Sequence, residues 1–519
     1  MSSATVELTA GQRRLVLGIV GLGLVMVVSA VSGLNVALPD LALDTGATQT
    51  ELQWIVDAYS IVFASLLLPF GALGDRYGRR TMLLVGLAIF GVGAFAAVFV
   101  SDPDALIACR AVMGVGAAFV MPATLSVITT SFPEDERGQA VGVWIGLAGA
   151  GAVIGLFASG LLLEWFSWNS FFVLNVALAV AALVGVTLAV PNSRDPSSPP
   201  FDLVGSLLAL GGVAALVFGI IEGPNLGWDD PLVLAGLILG PILVVLFVLW
   251  ELRRPVPMLD PRLFLLRGFG AGSASITIQF FAFFGFIFIV MQYLQFVVGY
   301  SALGAAVAIL PFAVVMIPLS RKGPAIAARL GPNRVGAAGL VLMAAAMLVF
   351  TFLGTDLHYV LFALGLVLLA AGLALSSSPS TTAIVDSLPP AKQGVASAVN
   401  DTSRELGAAL GIAVLGSILA DRYAGSLEPG PTGLPPNVAA AIDDSVAAAH
   451  QAAAEIGGAQ GAQLGEAANQ AFVDGLRAAS IAAGAVLLLG AVFVALRAPK
   501  GSESYGNVAI RPRQDWSGG

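Results

Sequence analysis

Asp57, Arg110, Asp401, Arg404 and Glu405 lie within long apolar runs of the chain. Charged side chains in such surroundings are costly and mark ion or proton chemistry. A desolvated carboxylic acid holds its proton more tightly, and a nearby arginine loosens it again. Asp57 sits five residues from one end of its run, and Arg110 six from the same end of its own. At the rise of an α-helix, both are roughly 8–9 Å deep. Equal depth permits an ion pair if the two helices face each other. Such a pair is hard to explain as a stabiliser, because desolvation often cancels the Coulomb gain. As a switch it makes sense: moving Arg110 relative to Asp57 would toggle proton affinity. The plainer alternative is an acid that snorkels to water and an arginine that caps carbonyls. Asp401 and Glu405 share one helical face, and Arg404 beside them can neutralise one acid. They are assigned to cation or proton handling, against the alternative of a local structural pair. Glu164 and Glu222 fall at helix ends and are expected to be solvated.

Other chemistry is excluded. The single cysteine, Cys109, gives no disulfide framework and no thiolate metal site. His358 and His450 fall at or beyond a membrane surface, so no buried histidine site is expected. There is no phosphate-binding loop for ATP and no Ser-His-Asp set in one compartment, which argues against an enzyme.

The elements that must carry these residues follow from composition. The chain has 519 residues, 57% hydrophobic and 11% charged, with mean hydropathy +0.91. Soluble domains carry about 25% charged residues. A net charge of -8 excludes an ordinary nucleic-acid binder. What remains is an all-α polytopic membrane protein. Apolar runs near the 20 or so residues that span a bilayer fall at 15–38, 52–73, 81–100, 104–129, 139–162, 168–190, 203–222, 231–251, 269–292, 301–319, 334–354, 358–378, 395–420 and 474–497. These are read as spans 1–14, all helical, with the first retained rather than cleaved. Placing both termini in the cytoplasm puts twenty of the 24 Lys and Arg residues on the inner side. Residues 421–473 form an outer loop, whose stretch 437–456 reads as a loosely packed surface helix rather than a binding lid. Residues 498–519 read as a disordered cytoplasmic tail.

Between spans 2 and 3 runs Gly71-Ala-Leu-Gly-Asp75-Arg76-Tyr-Gly78-Arg79-Arg80. Its glycines allow a tight turn and close helix approach. Its acid among three arginines forms a cluster that can latch and release as helices rock. This pattern resembles the loop 2–3 signature of the major facilitator superfamily. Several other stretches are similar to its fourteen-helix drug:proton antiporter branch: Asn35-Val-Ala-Leu-Pro39, Gln53-Trp54-Ile-Val-Asp57-Ala-Tyr59, Arg110-Ala-Val-Met-Gly114-Val-Gly116, Glu251-Leu-Arg-Arg-Pro255-Val-Pro257 and Asn400-Asp401-Thr-Ser-Arg404-Glu405-Leu-Gly407. The resemblance covers roughly 14–500. It implies two six-helix bundles, spans 1–6 and 9–14, related by a pseudo-twofold, with spans 7 and 8 as an extra pair. The resulting domains are 1–190, 191–268, 269–497 and the tail. Ala328-Arg329-Leu-Gly331-Pro-Asn-Arg334 is a degraded echo of the loop 2–3 motif, without its acid.

The chain departs from that family in two places. Span 5 keeps a small-residue face at Gly142, Gly151, Gly155 and Gly160, but Leu156 stands where the family's antiporter motif has proline. Ala30 stands where family antiporters tend to carry an acid in span 1. Proton coupling would then rest on Asp57 with Arg110 and on Asp401 and Glu405. Trp54, Tyr59, Phe281, Phe284, Phe288, Gln292 and Gln295 are the candidate cavity residues. A phenylalanine stripe more often packs or faces lipid; as a cavity wall it would suit large hydrophobic compounds. The resemblance implies proton-driven export of hydrophobic small molecules, cations included, by a monomer of the bacterial inner membrane. No cofactor beyond the proton gradient is expected, and the partners are substrate, protons and membrane lipid. The rivals are a lipid or natural-product exporter with weak or no coupling, an uncoupled facilitator, and a transport-inactive sensor or scaffold.

Overall fold

The computed structural model describes residues 8–193, 202–388, 393–427 and 436–499. Arg194, Lys392 and the chain beyond residue 499 lie outside the described residues, as do the side chain of Asp75 and the surroundings of Gly142. Among the described residues there is no strand. The helices are α1 Ala10–Ser32, α2 Leu34–Thr45, α3 Gln49–Tyr77, α4 Arg79–Val98, α5 Pro103–Ser131, α6 Glu134–Leu163, α7 Ser170–Ala189, α8 Leu203–Leu226 and α9 Pro231–Arg253. After them come α10 Arg267–Gln292, α11 Ala302–Ala308, α12 Leu310–Leu330, α13 Pro332–Phe350, α14 Tyr359–Asp386, α15 Gln393–Leu427, α16 Pro436–Asp444, α17 Val446–Ile456 and α18 Gly458–Arg497. Among the described residues thirteen helical stretches are long and apolar enough to cross a membrane. Span 5 falls on α6, a helix of 30 residues, of which Gly151–Leu163 is the described apolar part.

Helix starts follow local chemistry. Thr9 and Thr48 close capping boxes with Gln12 and Glu51. Asp102, Asp202, Asp230 and Ser301 each accept a backbone N–H from the first turn of the helix they precede. Outward faces carry Leu188, Val360 and Leu496, all about four-fifths exposed, as lipid-facing helices require.

Two spans are interrupted. Span 1 divides into α1 and α2 at Gly33, and span 10 into α11 and α12 at Ile309. At the first break the Asn35 side-chain amide donates to the carbonyl of Val31 at 2.9 Å, replacing a lost helical donor. Gly33 is required there, since a Cβ would meet the carbonyl oxygen of Gly155 at 2.8 Å.

An internal repeat appears in the packing. α3 passes to α4 through Gly78, at φ 117°, and α12 passes to α13 through Gly331, at φ 94°. Both backbones favour glycine. Eight residues after each comes a glycine whose helix lies against the backbone of the next one. A Cβ on Gly86 would meet Gly116 O at 2.8 Å, and one on Gly339 would meet Gly372 O at 2.6 Å. Spans 3 and 4 thus repeat as spans 11 and 12, and the echo at residues 328–334 is structural.

α1–α7 form one bundle, and α10–α15 with α18 form the other. α8 packs against both α3 and α15, covering one side of the seam, and α9 lies outside it against α8. At the foot of this pair Asp202 accepts from Gly205 N at 2.9 Å and from Trp250 Nε1 at 3.0 Å, and it lies 3.5 Å from Arg254 Nε. Asp202→Ala is expected to lower unfolding free energy by about 2 kcal/mol, the upper range for a lost cap, because Trp250 and Arg254 lose a partner as well. Unfolding of the detergent-solubilised protein checks this, and Asp202→Asn, which keeps an acceptor, should lose much less.

The two ends of the molecule differ in how the bundles meet. At the end bearing α16 and α17, the hairpin end, Gln295 Nε2 donates to Val36 O at 3.0 Å. Gln451 Nε2 donates to Leu43 O at 2.8 Å, and Gly160 lies against Ala302, Leu303 and Ala306. At the opposite end, which carries the Gly71–Arg80 loop, α3 and α15 stay together while α6 packs on α11 rather than on the body of α12. α12 buries only Gly323 and Ala327. Among the described residues the bundles are therefore joined on both sides of the seam at the hairpin end, and at the arginine end they part on the side of α6 and α12.

Within the stretch 437–456, expected to be loosely packed, α17 is firmly docked. α17 buries Val446, Ala447, Ala449 and Ala452, and its His450 stacks on Phe296 and hydrogen-bonds Asn469 at 2.9 Å. The reason is α18, which begins at Gly458 and supplies an extramembrane wall before it enters span 14.

Candidate functional site: buried charges along the seam

Asp57 is completely buried in α3. Neither of its carboxylate oxygens has a hydrogen-bond partner among the described residues. It lies one turn from Gln53, which packs on Gly416 of α15, and one turn from Ile61, which packs with Ala409 and Ala413 of the same helix. Asp57 therefore stands on the α3 face turned toward the other bundle.

Arg110, also completely buried, takes the opposite face. Its Nε donates to Ile55 O at 2.9 Å, and its guanidinium lies 4.3 Å over the Tyr59 ring. Nη1 and Nη2 have no hydrogen-bond partner among the described residues. The expected Asp57–Arg110 ion pair is absent among the described residues. Equal depth was right, but residues 55 and 59 are each two positions from 57, about 200° around the helix. Tyr59 donates its hydroxyl to Val27 O at 3.0 Å and is held inside the first bundle, so it is a platform for Arg110 rather than a free cavity wall. Lysine cannot both stack flat and donate from Nε. Arg110→Lys is expected to lose about 2 kcal/mol, the desolvated cation–π contribution, and to lose transport with it. Thermal unfolding and efflux by cells carrying the variant check both.

On α15, Arg404 lies within reach of both acids, one positive charge against two carboxylates. Its Nη1 is 3.5 Å from Asp401 and its Nε 3.2 Å from Glu405. Glu405 Oε2 is buried without a partner. Arg404 also sits 5.9 Å over the Phe280 ring. Phe280 stacks on Phe284, Phe284 meets Phe283, and Phe283 stacks on Phe312 of α12. The aromatic wall beside the charges is therefore Phe280, Phe283, Phe284 and Phe312. Phe288 is fully buried and Phe281 nearly so; the backbone of Phe281 lies against Gly411 of α15. Both are packing residues, and of the expected stripe Phe284 alone joins the wall.

Other cavity expectations are corrected. Trp54 turns to the extra pair, where its Nε1 donates to Glu222 Oε1 at 2.8 Å and its ring meets Phe218. Glu222 is thus a partnered acid and not simply solvated. Gln295 closes the hairpin end. Gln292 is fully buried, and its amide donates to Phe288 O at 3.2 Å.

Of the span 5 glycines, Gly151, Gly155 and Gly160 lie against neighbouring helices. A Cβ on Gly151 would meet Val25 Cα at 3.3 Å, and one on Gly155 would meet Ser29 Cα at 2.7 Å, so α6 lies directly on α1. Gly160 makes the corresponding approach to the other bundle. The loop 2–3 motif is held within the first bundle: Arg80 Nη2 donates to Thr187 O at 2.6 Å and Arg79 N to Ser193 O at 2.9 Å. Arg76 is exposed, and Gly71 packs against Pro122. Ala30 is fully buried, and Leu156 is partly buried against the main hydrophobic core.

Sequence reasoning passed over an uncharged polar network. Ser377 donates to Gln279 Oε1 at 2.6 Å, Gln279 to Ser275 Oγ at 2.8 Å, and Ser380 to Ser275 at 2.8 Å. Thr381 reaches Asn400 on α15 at 3.0 Å. The hydroxyl run Ser376-Ser377-Ser378-Pro379-Ser380-Thr381 inside an apolar helix was the available signal.

Two repeated bundles with charges at the seam are the architecture of a transporter, and comparison with known proteins agrees. A profile described as Major Facilitator Superfamily matches residues 20–412. The chain belongs to that superfamily. It is 35% identical to the multidrug efflux pump LfrA of Mycolicibacterium smegmatis, over 88% of this chain and 91% of that protein. It is 34% identical to the methyl viologen resistance protein SmvA of Salmonella typhimurium, over 88% and 93%. The tetracenomycin C resistance and export protein of Streptomyces glaucescens is 32% identical, over 91% and 89%. Among solved structures, a bacterial homologue of the human lysosomal transporter Spinster superposes with TM-score 0.67 at 18% identity, covering 94% of this chain and 97% of its own. That likeness shows the fold. The protein is a multi-pass membrane transporter whose relatives are bacterial efflux and resistance proteins.

Proposed function

We propose that this transporter exports hydrophobic small molecules, lipophilic cations among them, from the cytoplasm in exchange for protons, and that Asp57 carries the proton. The supporting observation is the complete burial of Asp57 with both oxygens unpartnered. An ionised carboxylate in that position pays a large desolvation cost, and a neutral one does not. Closure of the hairpin end is thus favoured with the proton on Asp57. The arginine end is assigned to the cytoplasm, with both termini, on the distribution of Lys and Arg. A proton then enters from the hairpin side as substrate leaves. The bundles close around neutral Asp57, and the proton departs through the parted arginine end, where the next substrate enters. Arg76, Arg79 and Arg80, with Asp75, form the latch of that end when it shuts. Asp401, Arg404 and Glu405, beside the Phe280 and Phe284 wall, receive the substrate, with one acid charge left over to attract a cation. The inner membrane of a bacterium is the assigned location.

Proteoliposomes with a trapped pH dye and an imposed pH gradient test the reading. Ethidium, a neutral aromatic and a short-chain lipid serve as separate probes. Proton flux that depends on the added compound is expected. Compound movement without proton flux would sink the antiport reading and leave a facilitator or lipid exporter.

A further inference from the structure

A cavity of about 630 Å³ opens at the hairpin end between α8, α15 and α18. It lies on the side of the molecule away from the α6–α12 opening. Val414, Ile418 and Ala482 line its apolar part, and Trp228, Asp421 and Arg422 stand at its mouth. Ser417, also in the wall, spends its hydroxyl on Ile220 O at 2.7 Å. From Val414 to Asp421 the groove runs along two turns of α15, roughly 10 Å. Trp228 is 47% exposed, as an aromatic residue at a membrane interface is expected to be.

The mouth carries adjacent, opposite and unused charges. Asp421 and Arg422 are both exposed, and neither is engaged in a hydrogen bond or ion pair among the described residues. Consecutive residues on a helix point about 100° apart, and among the described residues no ion pair joins these two. They offer an anion site and a cation site side by side above an apolar trough.

We propose that this groove holds one phospholipid whose headgroup carries both an ammonium and a phosphate, as in phosphatidylethanolamine. The phosphate meets Arg422, the ammonium meets Asp421, and an acyl chain lies along Val414, Ile418 and Ala482. A purely anionic headgroup would satisfy Arg422 but face Asp421 with like charge. A lipophilic cation would satisfy Asp421 but face Arg422. The proposal rests on the membrane spans alone. It holds for either orientation of the chain and whatever drives transport.

Native mass spectrometry of the purified full chain, equilibrated with equimolar phosphatidylethanolamine and phosphatidylglycerol, tests it. The wild type should retain one phosphatidylethanolamine in preference by roughly fivefold, the effect of a single charge at a membrane surface. Asp421→Asn should abolish that preference. Ala482→Phe, which fills the trough, should reduce retention of both lipids while unfolding at the wild-type temperature. Equal retention of the two lipids by the wild type, or an unchanged preference in Asp421→Asn, would overturn the proposal. So would displacement of the bound lipid by stoichiometric tetraphenylphosphonium, which would make the groove a cation site.

Discussion

Asp57→Asn should make the protein more stable and leave it unable to confer drug resistance. Both effects come from one geometry. The side chain is buried with no protein hydrogen-bond partner among the described residues, and removing a buried unsatisfied charge recovers about 1–3 kcal/mol or more. Asparagine has nearly the same shape, so packing against α15 is retained. It cannot take up and release a proton, so the exchange cycle loses its driving step. Thermal unfolding in detergent at alkaline pH should rise, while cells carrying the variant should be as sensitive to ethidium as cells without the transporter. A destabilised variant would mean that Asp57 has a stabilising partner in the folded protein. Retained resistance would move the coupling role to Asp401 or Glu405.

Gly160→Leu is expected to trap the transporter away from the conformation described here. A Cβ at Gly160 would lie 3.1 Å from Ala302 O, 3.2 Å from Leu303 Cα and 3.2 Å from Ala306 Cβ. Two of those atoms are backbone and cannot step aside. Overpacking of this kind costs about 1–3 kcal/mol. The cost falls only on the state in which the hairpin end is shut, because only then do the bundles meet at this point. A bias of that size moves a two-state equilibrium roughly 5–150-fold. Transport should slow accordingly, and thiol labelling of a cysteine placed at Gln295 should quicken, since that residue would no longer be sealed against Val36. Gly155→Leu is the control. Its contact lies inside the first bundle, against Ser29 and Ser32, so it should lower stability in every state without opening the hairpin end. If Gly160→Leu labels no faster than wild type, the hairpin-end contact is not a gate.

Much of the architecture was legible because hydropathy, length and arginine placement are local properties of the chain. The spans and the loop 2–3 turn need no knowledge of neighbours. Gly331 could be paired with Gly78 because both carry the same backbone demand. What depends on rotation about a helix axis was not legible. Asp57 and Arg110 have equal depth, yet they occupy opposite sides of α3, and a difference of two residues decides that. Trp54 went to Glu222 because α8 occupies the seam, which no pattern in α3 announces. The breaks at Gly33 and Ile309 were hidden because apolar composition continues through them. Pro39 and Pro311 were the signals, and each stands within the first turn or two of the helix that follows. The docking of α17 was missed because its partner, the extramembrane part of α18, reads as a loop by hydropathy. Phe280 was overlooked as the residue facing Arg404 because six phenylalanines in 280–288 offer several possible stripes.

In the proposed cycle, protonation of Asp57 and closure of the hairpin end are one event. Tyr77 and Leu330 close the equivalent helices α3 and α12 at the arginine end, and each is 59% exposed. With Cys109 replaced by serine, spin labels at positions 77 and 330 report how far apart the bundles stand there. The distance between them should be measured by double electron–electron resonance across a pH series, in wild type and in Asp57→Asn. The prediction is that acidification shifts the wild type toward the longer distance, and that Asp57→Asn shows the longer distance at every pH. A wild-type distribution that ignores pH, or an Asp57→Asn variant that still responds to it, would contradict the claim.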